Sequence, residues 1–172
     1  YKMSENSKEG SVINSVMTDI AADDEILQKT TASWCDTAVL YEVNIRQYTE
    51  EGTFNAFSEH LQRLKDTGIN TLWLMPIHPI SKEGRKGTLG SYYAVKNYMD
   101  VNPEFGTMDD FKALLKKAHD MGFHVILDWV ANHTAPDSEW TKNEGWHYRD
   151  SLGNLVVQYD WWDIAKLNYE NE

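Results

Sequence analysis

Apolar residues gather in short blocks along the chain, and the spacing within each block predicts a conformation. Ala38-Val39-Leu40-Tyr41-Glu42-Val43 is a nearly continuous apolar run and predicts a buried strand. Phe54, Phe57, Leu61 and Leu64 then recur at helical spacing, with Thr53 as the cap and Gly68 where helices end. A second strand is predicted over Thr71-Leu72-Trp73-Leu74-Met75, stopped by Pro76. The long stretch that follows reads as irregular, with Gly84, Gly87 and Gly90 spaced through it. Thr107 opens a second helix, with Asp110 as its capping-box partner and Phe111, Leu114, Leu115 and Ala118 on the inner face. Gly122 stops that helix, and Phe123-His124-Val125-Ile126-Leu127-Asp128-Trp129-Val130 predicts a third strand. Beyond it the chain is aromatic-rich and irregular to about Asp163. Residues 1–33 are polar, with an acidic run at Asp23-Asp24-Glu25, and read as a leader or linker. Val12, Ile13, Val16, Met17 and Ile20 lie at spacing that allows a short amphipathic helix there.

The order is strand, helix, strand, helix, strand, and the connections are asymmetric. Helices return to strands through a few residues, whereas the connections leaving two of the strands are very long. Continuously apolar strands belong to parallel sheets covered on both faces. Long insertions on the strand-exit side are how a (β/α)8 barrel builds its working face. The competing fold is a doubly wound sheet, which binds nucleotides through a glycine-rich turn after its first strand. Val43 is followed instead by Asn44-Ile45-Arg46-Gln47-Tyr48. The pattern therefore favours an α/β chain of barrel type.

Composition narrows the partners. The 172 residues carry 16 Lys and Arg against 27 Asp and Glu, a net charge of −11. That balance argues against a nucleic-acid binder, which needs clustered cations to neutralise phosphates. No apolar run approaches the roughly 18 residues that suggest a membrane-spanning segment. Cys35 stands alone, so no internal disulfide framework or multi-cysteine zinc site is available. Tyr1-Lys2-Met3 leads into no apolar signal region, and neither terminus reads as a domain boundary. The chain is accordingly expected to be part of a longer protein.

Candidate chemistry sits where the predicted strands end. Asp128, Asn132 and His133 place a carboxylate, an amide and an imidazole within six residues of an apolar strand. They line a cleft, or they hydrogen-bond the loop that follows. Tyr93 lies in the first long loop, where a ring can stack on a ligand or simply pack. His78 reads as a loop hydrogen-bonder, and His60 and His119 as helix residues. Trp140, Trp146, Tyr148, Tyr159, Trp161 and Trp162 crowd the last stretch, which suits either a carbohydrate site or the core of a small loop module.

The motifs, in order, resemble the α-amylase family of glycoside hydrolases, family 13. Leu40-Tyr41-Glu42-Val43 is similar to the family's first strand, and Gly68-Ile69-Asn70-Thr71-Leu72-Trp73-Leu74-Met75-Pro76-Ile77 to its second. Gly90-Ser91-Tyr92-Tyr93, then Tyr98 and Val101-Asn102-Pro103-Glu104-Phe105-Gly106-Thr107, resemble the loop into the second helix. Asp128-Trp129-Val130-Ala131-Asn132-His133 resembles the first signature region after strand three.

The resemblance implies a partial (β/α)8 TIM barrel, its first three strands and two helices spanning 34–132. An inserted domain B would span 133–163, and 164–172 would return towards strand four. It implies retaining cleavage of α-glucosidic bonds, with an α-glucan or maltooligosaccharide as substrate. It assigns substrate binding to Tyr93, which would stack on the sugar, and to His133, which would contact it. Asp128 would support the site by orienting an arginine near the nucleophile. Asn132 would support domain B and, in calcium-binding members, ligate Ca2+.

Two departures qualify these roles. The family's nucleophile lies in an Arg-x-Asp motif on strand four, its acid on strand five and a third carboxylate after strand seven. No Arg-x-Asp occurs in this chain. The chain alone is therefore expected to be inactive, with the catalytic carboxylates beyond residue 172. Lys166 stands where calcium-binding members carry an aspartate, and a cation there weakens a site built from oxygens. Asn97 stands where relatives often have Asp. The alternative to an enzyme segment is a non-catalytic carbohydrate-binding module. The expected setting is extracytoplasmic, periplasmic or secreted.

Overall fold

The computed structural model describes residues 32–171. The chain divides into two compact units, Tyr1–Ala38 and Val39–Glu172. In the first, the described residues form a 3-10 turn over Ser33–Thr37, where the Ala38 N–H donates to the Cys35 carbonyl. The short helix expected around Val12 to Ile20 lies outside the described residues.

The second unit is built on a three-stranded parallel sheet. Strand β1 is Leu40–Val43, β2 is Thr71–Leu74 and β3 is His124–Leu127, with β2 in the middle. Leu40 pairs with Thr71 and Thr71 with His124, so each row crosses the sheet in register. Three parallel strands joined through helices are the partial barrel architecture expected. All three strands are shorter than their apolar runs. The third leaves the sheet at Leu127 although apolar residues continue to Val130.

The single helix expected after Thr53 is broken in two. Helix α1, Ile45–Tyr48, comes first, and four residues are too few to show a period. Helix α2 is Phe54–Ser58 and α3 is Leu61–Asp66, separated at Glu59 and His60. The apolar face runs through the break: Phe54, Phe57, Leu61 and Leu64 are all at most 1% exposed. Thr53 caps α2 by accepting from the Ala56 N–H at 3.2 Å. Helix α4, Met108–Asp120, starts at the predicted capping box, with Asp110 accepting from the Thr107 N–H and Thr107 Oγ1 accepting from the Asp110 N–H. Val43, Leu72 and Leu74 of the sheet meet Phe54, Phe57, Leu114 and Ala118 of the helices in one core.

The sheet is covered on one face only along part of its width. Glu42, Trp73 and Ile126 form one row, and Trp73 is 37% exposed. Leu40 is half exposed as well. The expectation of a fully buried first strand therefore fails at alternate positions. Side chains alternate across a pleated strand, and the helices lie on the side of Val43, Leu72 and Leu74.

The long connections are more ordered than their composition suggests. After β2, an antiparallel bridge joins Ile80 to Val95, and the Val95 carbonyl accepts from the Ala135 N–H at 2.7 Å. After β3, strand β4, His133–Thr134, pairs antiparallel with β5, Ala165–Lys166. This small sheet ties the start of the second insertion to the residues just beyond Asp163.

Candidate functional site

The two insertions meet at the strand-exit side of the sheet and enclose a cavity of about 350 Å3. Its walls include Lys86, Ser91, Tyr93, His133, Trp161 and Asp163. The volume falls within the range of small-molecule sites.

Tyr93 reaches the cavity because Gly90, at φ +75°, turns the first insertion where a Cβ would meet Ile80 at 2.7 Å. Its hydroxyl donates to Asp128 Oδ2 at 2.9 Å. Asp128 is held just past β3, where its own N–H donates to the Leu74 carbonyl at 2.9 Å. Burial, followed by the hydrogen bond to Asp128, pushes the Tyr93 phenol up to about 12. The phenol therefore stays protonated and donates to the carboxylate throughout the neutral range.

His133 lies beside Tyr93 and is buried. Its Nε2 sits 3.0 Å from the Tyr93 carbonyl, which can only accept, so Nε2 carries the proton. Its Nδ1 lies 3.0 Å from the Asn132 side-chain nitrogen, and Asn132 also donates to Gln158 Oε1 at 2.7 Å. This chain of contacts selects the neutral imidazole. Burial lowers the His133 pKa, opposed by the Tyr93 carbonyl and by the charge of Asp163. Both ring nitrogens are thus engaged inside the protein, and His133 meets the cavity as a neutral ring. Tyr98 secures it from behind, donating to the His133 carbonyl at 3.0 Å.

The sequence-derived residues Tyr93, Asp128, Asn132 and His133 accordingly come together at one end of the sheet. Trp161 of the aromatic cluster completes the wall together with Lys86 and Asp163, to which no sequence motif pointed. Asp163 is deeply buried and Lys86 Nζ lies 3.0 Å from its Oδ1. The same ammonium sits 4.7 Å from the Trp162 ring centroid. Trp161 faces His133 edge-on at 6.5 Å, and Tyr159 packs on Trp161 at 5.1 Å. Of the remaining histidines, His78 contacts the Asp100 carbonyl at 2.9 Å through Nδ1, as a loop residue would.

The surroundings of Asn132 bear on a cation. Ca2+ takes six to eight oxygens, carboxylates prominent among them. Here the Asn132 amide nitrogen faces Gln158 and His133, and its main-chain carbonyl accepts from the Leu167 N–H. The Lys166 ammonium lies 4.9 Å from the Tyr148 ring centroid. Among the described residues no group of three or more His, Cys, Asp or Glu could hold a metal ion. Nor, among the described residues, is any helix long and apolar enough to cross a membrane.

Comparison with known proteins gives a consistent result. The family model for the α-amylase catalytic domain matches residues 9–172. α-Amylase 3 of Dictyoglomus thermophilum is 37% identical over an alignment covering 80% of this chain and 32% of that protein. Maltase 1 of Drosophila virilis is 34% identical, covering 64% of this chain and 17% of that one. Among solved structures, an α-amylase from Lactobacillus plantarum superposes with a TM-score of 0.75 at 48% identity, covering 78% of this chain and 32% of that chain. A maltogenic α-amylase from Thermotoga neapolitana gives 0.74 at 40% identity, covering 78% and 33%. The chain thus spans about a third or less of the length of these relatives.

Proposed function

The chain belongs to the α-amylase catalytic-domain family, and on that premise we propose that it supplies one wall of the sugar pocket of a retaining glycoside hydrolase acting on α-glucans. The observation that carries this reading is the cavity at the strand-exit side, where Tyr93, anchored on Asp128, stands beside a neutral His133. An aromatic face and a neutral ring edge suit a pyranose, whose C–H faces pack on aromatic rings. Retaining hydrolysis then needs two carboxyl groups, one attacking the anomeric carbon and one protonating the leaving oxygen. Neither is assigned to this cavity wall: Asp128 accepts from the Tyr93 hydroxyl and Asp163 pairs with Lys86, so these two acids are committed to protein partners. The role of this chain's residues is to bind and orient: Tyr93 as a stacking face, His133 as a side wall, Asp128 as the anchor of Tyr93.

It follows that the 172-residue chain by itself does not hydrolyse starch or maltotriose. Reducing-sugar release above blank by the purified chain, lost in Asp128→Asn or Asp163→Asn, would overturn the assignment of the reactive groups to other segments. We also propose that no Ca2+ binds at Asn132, supported by the engagement of its amide with Gln158 and His133 and by Lys166. A calcium-dependent rise in melting temperature, lost in Asn132→Ala, would show otherwise. The alternative of a self-sufficient carbohydrate-binding module predicts micromolar affinity for maltooligosaccharides in calorimetry. One wall of a pocket predicts millimolar affinity.

A further inference from the structure

Two cations, Arg85 and Lys86, follow one another in the loop that borders the cavity, and their surroundings differ. The Arg85 guanidinium is spent on the main chain: Nε donates to the Ser81 carbonyl at 2.8 Å, and Nη1 and Nη2 reach the Thr88 and Ile80 carbonyls at 3.4 and 3.5 Å. Lys86 is the cation that lines the cavity among the described residues. Its ammonium is pinned from two sides, by Asp163 at 3.0 Å and by the Trp162 ring at 4.7 Å. The loop is pressed against this wall, because Gly84 at φ +62° brings its backbone where a Cβ would lie 2.9 Å from the Trp162 carbonyl oxygen.

An ammonium has three donors in rotating positions. One is taken by Asp163, and the face over Trp162 is taken by the ring. What remains is a donor on a fixed stem at the edge of a largely apolar cavity, with its charge already balanced. The buried carboxylate is the decisive partner. A site for a phosphate presents cations whose charge is free to meet the anion, commonly as arginine forks. Here the lysine is neutralised by Asp163, the neighbouring arginine is turned to carbonyls, and His133 is held neutral by its contacts. A phosphoryl group, carrying about two negative charges near neutrality, would meet Asp163 and Asp128 without a compensating cation.

We propose that Lys86, positioned by Asp163 and Trp162, is a specificity-determining residue of the cavity that donates to a sugar hydroxyl, and that this wall selects uncharged α-glucosides against sugar phosphates. The inference deepens the sugar-pocket reading given above and rests on it.

The test uses the whole chain at submicromolar concentration, with intrinsic fluorescence as the readout, since Trp161 and Trp162 border the cavity. Maltose and maltose 6′-phosphate form a matched pair differing in charge, each titrated to tens of millimolar. Maltose should give a saturable change, and the phosphate should bind at least tenfold more weakly. Lys86→Met should weaken maltose roughly tenfold, the effect of removing a charge-assisted donor. Because that variant strands a buried carboxylate, the double variant Lys86→Met with Asp163→Asn keeps the wall uncharged and folded, and should show the same loss. Asp163→Asn alone frees the Lys86 charge and should shift the preference towards the phosphate by several-fold. Circular dichroism and melting confirm that each variant is folded. If maltose binds the double variant as well as it binds the parent, or the phosphate binds the parent more tightly than maltose, the role of Lys86 is wrong while the sugar pocket stands. If maltose produces no response in the parent chain, the sugar-pocket reading fails, and this inference with it.

Discussion

Tyr93 ties two insertions to the sheet with two different atoms. Its hydroxyl donates to Asp128 at 2.9 Å, and its main-chain carbonyl accepts from His133 Nε2 at 3.0 Å. Tyr93→Phe removes only the first. Asp128 is partly exposed, so water replaces part of the loss, and the expected cost is about 1 kcal/mol. The expected signature is a lower urea midpoint together with the loss of one of two tyrosines raised to about 12, Tyr98 being the other. An unchanged amplitude in that range of an alkaline absorbance titration would show that Tyr93 was not one of the elevated pair. A second buried imidazole sets the acid limit. His147 Nε2 lies 2.9 Å from Thr134 Oγ1, whose own proton goes to the Ala135 carbonyl, so Nε2 carries a proton and donates. Among the described residues its Nδ1 is buried without a partner. Burial, then Arg149, lowers its pKa below the ordinary 6.5. The unfolded chain therefore binds the proton first. Stability is unaffected well above pH 6.5 and declines as the pH falls from there through the depressed folded value. His133, also lowered by burial, adds to the decline with the same sign. Melting temperature measured from pH 8 to 5 should fall less steeply in His147→Gln. Parallel curves for the two proteins would remove His147 from the account.

At the scale of elements, the stretch of the β2–α4 loop that carries Lys86 has no buried side chain from 82 to 90 and owes its place to close backbone contact at Gly84. Gly84→Ala forces a Cβ to within 2.9 Å of the Trp162 carbonyl oxygen at a φ that disfavours any side chain. The expected cost is about 1–2 kcal/mol, and the displaced loop should carry Lys86 away from Asp163. Both a lower urea midpoint and a weaker maltose response should follow. A loss of stability with maltose binding intact would show that the loop does not position the wall. This contact also marks the boundary of what the sequence discloses. Phe54, Phe57, Leu61 and Leu64 were legible because burial repeats with the helical turn, even across the break at Glu59 and His60. The capping box of α4 was legible because Thr107 and Asp110 interact locally. Tyr93, Asp128 and His133 were legible through ordered motifs at strand exits. Lys86 and Asp163 were not, because a charged residue in a loop carries no period. Only the docking of one insertion on the other brings that pair together. Helix α1 escaped for the same reason that it is weak: a single turn holds no repeat.

The whole molecule is decided by the edges of its sheet. Strand β2 is paired on both sides, whereas among the described residues β1 and β3 each pair on one side only. Leu40 on one flank and Leu127 on the other are 51% and 42% exposed, and Trp129 just beyond β3 is 66% exposed. Apolar flanks with unpaired N–H and C=O groups are templates for another strand. The opposing influence is the net charge of −11, which keeps copies apart at low ionic strength. Screening shortens that repulsion to about 8 Å at physiological salt, a range over which the edges can meet. The 172-residue chain studied alone should therefore associate as its concentration rises, and more strongly as salt is added. Sedimentation velocity at 20 mM and 300 mM salt, on the order of those two regimes, reads both dependences at once. Association that weakened with salt would point to ion pairing instead of edge pairing. Lysine substitutions at Leu40 and Leu127, the usual protection of exposed edges, should suppress association without altering the core formed by Val43, Leu72 and Leu74. A monodisperse monomer that melts cooperatively at high concentration and salt would mean that the edges are satisfied within the chain, and the partial-barrel description of its solution state would then have to be given up.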